Sequence, residues 1–133
     1  MSSIMLIIKS NPNNIFQVET YLKNVQTDWQ IDENRFPDIL ISITEAVNNA
    51  ILHGNNADES KQVKIIMEEK SSGVAVSVSD EGKGFDPDKV PDPTSPCNID
   101  CCGGRGVFIM SRLTDKLSFE NNGSTVRMFF KLN

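Results

Sequence analysis

The sequence predicts an α+β two-layer sandwich, a mixed or antiparallel sheet with helices packed on one face, and three observations predict it. Residues 63–78 and 117–130 alternate apolar with polar side chains on either side of glycine-containing turns, as hairpins do. Other stretches repeat apolar residues three and four positions apart, as one face of a helix does. Their order, β-α-α-β-β-loop-α-β-β, pairs strands mainly with their chain neighbours and leaves three helices to cover them.

Each element has its own signals. Ile4 to Ile8 reads as a short strand, because MSSIMLII lacks the basic start, long apolar stretch and cleavage site of a secretory signal. Asn11-Pro12-Asn13-Asn14 is a capping and turn cluster, after which Ile15, Val18, Tyr21, Leu22 and Val25 mark a first amphipathic helix. Asp32, Asn34 and Pro37 signal the start of a second, with Ile39, Ile43, Ala46, Val47 and Ala50 as its buried face and Gly54 as its expected stop. Val63, Ile65 and Met67 alternate, Ser71-Ser72-Gly73 turns the chain, and Val74, Val76 and Val78 return. Residues 86–104 carry four prolines, three cysteines and two glycines without periodicity, a loop length that suggests a lid. Val107, Phe108, Met110 and Leu113 suggest a third helix. Leu117, Phe119, Val126, Met128 and Phe130 form a last hairpin across Asn121-Asn122-Gly123.

At 133 residues the chain is expected to be one domain, spanning 1–133, with a single core. No apolar run approaches the roughly 20 residues of a membrane-spanning helix, so no membrane partner is expected and the location reads as cytoplasmic. A net charge of -5 disfavours direct nucleic-acid binding. Cys97, Cys101 and Cys102 are an odd number and lack a fourth metal ligand nearby, so they are expected as free thiols. Trp29 and Tyr21 read as core or groove residues.

Three short segments carry chemistry. Glu45 and Asn49 are four residues apart on the second helix, about 40° apart around its axis, so a carboxylate and an amide oxygen point the same way. Hard oxygens of this kind suit Mg²⁺, which shares its coordination with substrate phosphates; in isolation, the same pair could equally just solvate the helix's outer face. Asp80 ends the strand 74–78 and opens Glu81-Gly82-Lys83-Gly84-Phe85, where glycines let backbone approach a ligand and the carboxylate can accept from an adenine amine. Gly103-Gly104-Arg105-Gly106 precedes the third helix, offering N–H groups, a positive dipole end and a guanidinium to phosphate oxygens. This is neither a Walker A loop nor a dinucleotide fingerprint. Alone, each glycine box also reads as a plain turn; in this order and spacing the three segments point to ATP.

These residues resemble the GHKL ATP-binding superfamily, which includes gyrase, MutL and the catalytic domains of sensor histidine kinases. Glu45-x-x-x-Asn49 is similar to its N-box, Asp80-x-Gly82-x-Gly84 to its first glycine box and Gly104-x-Gly106 to its second. Within the superfamily, EAVNNAILHGN, DEGKGFDP and GRGVFIM most resemble the free-standing anti-sigma-factor serine kinases of the RsbW type. The resemblance implies the Bergerat ATP-binding fold, with ATP and Mg²⁺ as cofactors. It implies Glu45 as general base, Asn49 as Mg²⁺ ligand, Asp80 as reader of adenine, Gly82 and Gly84 as shapers of its pocket, and Gly104, Arg105 and Gly106 as the phosphate cradle. Ser124 stands where the superfamily usually has a threonine near adenine, keeping the hydroxyl.

His53, the single histidine, lies at the end of the N-box helix and is expected to cap or pack rather than react. With no phosphoacceptor-histidine module and no transducer segment, the expected partners are a sigma factor and an anti-sigma antagonist phosphorylated on serine. A homodimer is among the assemblies this resemblance allows. Two other readings are an ATP-binding switch that sequesters its partner without phosphoryl transfer, and a switch turned to another regulator, such as a phosphatase or a diguanylate-signalling partner.

Overall fold

The computed structural model describes residues 2–82 and 104–132. In chain order the elements are β1 (Ser3–Lys9), α1 (Ile15–Asp28), α2 (Phe36–Asn49), β2 (Gln62–Glu69), β3 (Gly73–Ser79), α3 (Gly104–Leu113), β4 (Lys116–Glu120) and β5 (Thr125–Lys131). The strands form one sheet ordered β1-β2-β3-β5-β4. Every neighbouring pair is antiparallel, which narrows the mixed-or-antiparallel expectation to a wholly antiparallel sheet.

The period-two pattern sets which face is covered. Val63, Ile65 and Met67 of β2, Val74, Val76 and Val78 of β3, and Val126, Met128 and Phe130 of β5 are buried and share one core with Ile39, Ile43, Val47 and Ile51 of the second helical segment. Val18, Leu22 and Val25 of α1 and Met110 of α3 complete it, and Tyr21 and Trp29 pack against it. Burying each large aliphatic side chain contributes about 1.5–3 kcal/mol. On β1, Ser3, Met5, Ile7 and Lys9 face away from this core and are exposed.

Turns and caps follow local chemistry. The side chain of Asn11 accepts from the N–H of Asn13, starting a 3-10 turn over Pro12–Asn14 that leads into α1. Asp32 organises the turn before α2: its carboxylate accepts from the Asn34 N–H at 2.8 Å and its carbonyl from the N–H groups of Arg35 and Phe36. Arg35 then reaches Asp38 at 2.6 Å and Asp115 at 2.5 Å and lies over the Phe130 ring, tying the start of α2 to the β4–β5 end of the sheet. The last hairpin turns through three successive residues of positive φ, Asn121 at 53°, Asn122 at 59° and Gly123 at 89°, residue types that tolerate it.

Two boundaries differ in detail from the sequence reading. The second helical segment stops at Gly54 as expected, but it does so through a π-turn over Ala50–Gly54, and the left-handed residues come later, at Asn56 and Ala57. The N–H of Asn55 donates to the Ala50 carbonyl and that of Ala57 to Ile51, closing the helix end. The second difference is that Gly104, Arg105 and Gly106 lie inside the first turn of α3 rather than ahead of it.

Candidate functional site

An open cavity lies where α2, α3 and the ends of β3 and β5 meet. Val78 and Val126 contribute from the sheet, Ala46, Asn49, Ala50, His53 and Gly54 from α2 and its π-turn, and Val107 and Met110 from α3. Phe119, Gly123 and Ser124 contribute from the last hairpin, and Asp80 supplies the single carboxylate of the lining among the described residues. The cavity measures about 170 Å³. That is below the roughly 300 Å³ at which sites for drug-sized ligands begin, so it suits one planar ring better than a whole nucleotide.

Asp80 is half-buried at the end of β3, where its N–H donates to the Ser124 carbonyl at 2.9 Å and continues the ladder to β5. Its Oδ1 accepts from the N–H of Gly82 at 2.8 Å. Burial holds the carboxyl above the usual carboxylate range, outweighing the opposite effects of that N–H and of the Lys61 charge. With one oxygen engaged by Gly82, the other is the acceptor left for a donor such as an amine on a bound ring.

The glycines around Asp80 pack closely against one another. A β-carbon on Gly54 would collide with the Asp80 carboxylate, and one on Gly82 would collide with the Gly54 carbonyl. The space beside Gly82 is therefore taken up by backbone from the π-turn. Sequence reasoning treated Gly54 only as a helix stop, and the signal it lacked was the approach of a residue 26 positions later in the chain.

Asn49 also lines the cavity. It is half-buried rather than spread on a solvated face, because the first turn of α3 packs against it: a β-carbon on Gly106 would lie 2.5 Å from Asn49 Nδ2 and 3.3 Å from Oδ1. Glu45 lies one helical turn earlier, also half-buried, and outside the cavity lining. Gly106 is buried, and Gly104 and Arg105 open α3 beside it. Ser124 lines the cavity, with its hydroxyl donating to the Asn121 carbonyl at 2.9 Å. Gly84, the three cysteines and the expected lid lie outside the described residues.

Among the described residues no three His, Cys, Asp or Glu side chains gather as metal ligands. Mg²⁺ asks for no such cluster, since it is held by one or two protein oxygens together with substrate phosphates. The Asn49 amide, seated against the Gly106 cradle, fits that requirement and could hold the ion. His53 also lines the cavity; composition gave no reason to place it there, but its position four residues after Asn49 did. Asn55, the last residue of EAVNNAILHGN, is fully buried and accepts from the Glu81 N–H behind the Asp80 turn, a role that its sequence position does not announce.

Comparison with known proteins shows the family and the fold. Residues 8–130 match the family described as the histidine kinase-like ATPase domain. The chain is 34% identical over 113 residues to the anti-sigma F factor of Clostridium botulinum (strain Eklund 17B / Type B), covering 81% of this chain and 78% of that protein. It is 27% identical over 137 residues to the serine-protein kinase RsbW of Bacillus subtilis (strain 168), covering 98% and 86%. Among solved structures, the RsbU and RsbW domains of Rv1364c from Mycobacterium tuberculosis match with a TM-score of 0.70 at 18% identity. That match covers 99% of this chain and 33% of the other, so the chain spans about a third of that larger protein and the likeness shows the fold. Among the described residues no helix is long and apolar enough to cross a membrane.

Proposed function

The chain belongs to the histidine kinase-like ATPase domain family, and we propose that within it the chain is an ATP-dependent anti-sigma factor that phosphorylates an antagonist protein on serine in the cytoplasm. The observation that carries this reading is the cavity itself. A half-buried carboxylate with one free acceptor stands beside an apolar, ring-sized space, and the Asn49 side-chain amide, packed against the first turn of α3, lines the same space. The relatives' names, anti-sigma F factor and serine-protein kinase RsbW, supply the class of partner.

In this reading Asp80 accepts from the adenine amine while Val78, Val126, Met110 and Phe119 enclose the ring. The phosphates lie toward Gly104, Arg105 and Gly106, where the N–H groups of the first turn of α3 face them. Asn49 would hold Mg²⁺, which when bound would neutralise charge on the triphosphate. Glu45 orients the acceptor serine and takes its hydroxyl proton as the serine oxygen bonds to the γ-phosphorus. The bond from that phosphorus to the β-bridging oxygen breaks, and ADP leaves. The serine comes from the partner, as does the sigma factor that the protein holds in its other state.

Incubation of the purified chain with Mg-ATP and candidate anti-sigma antagonist proteins, followed by mass spectrometry, tests the proposal. One phosphoserine on the antagonist, absent with Glu45→Gln, is the expected result. Nucleotide binding with no transfer would contradict the kinase and leave a nucleotide-gated binding module.

A further inference from the structure

Behind the cavity, Asn55 occupies a fully buried junction that the chemistry above does not use. It is 0% exposed, as is Ser10 beside it. Its Oδ1 accepts from the N–H of Glu81 at 2.8 Å. Its Nδ2 donates to the Gln62 carbonyl at 2.9 Å and to Ser10 Oγ at 2.7 Å, and that hydroxyl in turn donates to the Lys61 carbonyl at 2.8 Å. The partners fix the amide's orientation, because an N–H requires the oxygen on one side and a carbonyl requires the NH₂ on the other.

The backbone group that Asn55 holds lies between the two that matter at the site. Glu81 follows Asp80 and precedes Gly82, whose N–H is bound to Asp80 Oδ1. The residue before Asn55 is Gly54, packed against the Asp80 carboxylate. Residues 54 and 55 thus both hold the 80–82 turn, one by contact and one by a buried hydrogen bond. A side-chain amide of this kind, with its donors and acceptor used in a region from which water is excluded, makes a rigid support.

We propose that Asn55 is the positioning residue that fixes the Asp80–Gly82 turn, and so sets the preference for a purine bearing an exocyclic amine over one bearing a carbonyl. This rests on the reading of Asp80 as the acceptor for the ring. With Asn55 removed, the Glu81 N–H is orphaned, the turn has other conformations open to it, and the free oxygen of Asp80 no longer meets the ring at one fixed place.

The test is calorimetric titration of the full chain, with Mg²⁺, by ADP and by inosine diphosphate, which has the same phosphates and ribose but a carbonyl in place of the amine. Wild type is expected to favour ADP at least about tenfold, the scale of one buried hydrogen bond. Asn55→Ala is expected to bring that ratio down at least about fivefold. Ser10→Ala, which cuts the same network on the side away from Asp80, is expected to lower the melting temperature but keep the wild-type ratio. A wild-type ratio in Asn55→Ala would overturn the role of Asn55 alone, whereas a wild type that does not separate the two nucleotides would overturn the reading of Asp80 and this proposal with it. Should Asn55→Ala fail to fold, amide hydrogen exchange of wild type decides: a protected Glu81 N–H supports the proposal, and one exchanging as fast as an open loop overturns it.

Discussion

Gly54 and Asp80, one in a π-turn and the other at a strand end, pack so closely that no side chain fits between them; a β-carbon on Gly54 would lie 2.7 Å from Asp80 Oδ1 and nearer still to the rest of the carboxylate. Gly54→Ala must displace either the turn or the acid. The expected outcome is destabilisation by about 1–3 kcal/mol, the usual cost of overpacking, together with at least a roughly tenfold loss of nucleotide affinity. Thermal unfolding and calorimetry on the same preparation measure both.

Asp80 sets stability against function. Its folded-state carboxyl is raised by burial, so its contribution to stability is fully present below the unfolded-state value and is lost as pH rises through the folded one. Asp80→Asn is neutral throughout. The apo variant is therefore expected to melt no lower than wild type at pH 7, and its advantage should grow as pH is raised from about 3 to 7. Nucleotide affinity goes the other way. An asparagine oxygen that accepts from the Gly82 N–H leaves its NH₂ facing the ring amine, a donor against a donor, at an expected cost of about 1–3 kcal/mol, or roughly 5- to 150-fold.

Gly106→Ala tests the contact with Asn49. Its added methyl would lie 2.5 Å from Asn49 Nδ2, so the amide must move. The increment in ATP affinity supplied by Mg²⁺ is expected to fall about tenfold to a hundredfold, as misplacement of a ligand by about an ångström does. Affinity in EDTA, which reports only on the phosphate cradle that Gly106 belongs to, should fall less than affinity with the ion, and titrations with and without Mg²⁺ separate the two effects.

Ala57 is an exposed residue at φ 55°, a conformation that costs an L side chain about 1–2 kcal/mol. Ala57→Gly relieves this and incurs about 0.5–1 kcal/mol of extra chain entropy. The net expectation is stabilisation of about 0.5–1 kcal/mol, seen as a melting temperature higher by about 2 to 4 °C. An unchanged or lower value would show that the turn after the π-helix is not strained.

Much of the architecture was legible because it rests on period. Val63, Ile65 and Met67 against Val74, Val76 and Val78 announce a hairpin, and Ile39, Ile43 and Val47 a buried helix stripe, whatever else the chain does. Among the polar residues singled out by type and spacing, Asp80, Asn49 and Ser124 line the same cavity, while Glu45 lies outside its lining. What could not be read were contacts between distant segments. Gly54 looked like a helix stop since the carboxylate it touches is 26 residues away, and the position of Asn55 did not announce its role since its partners at Ser10, Gln62 and Glu81 come from three other places in the chain. The π-turn, which changes helical register without any proline or glycine inside the stripe, left no periodic trace.

Calorimetric titration of the full chain with ATP and Mg²⁺, wild type beside Asp80→Asn, tests the central claim most directly. Saturable heat for wild type, with affinity lowered by the substitution while the variant remains folded, is the predicted result. No heat from wild type at millimolar nucleotide, or equal affinity in the two proteins, would contradict it.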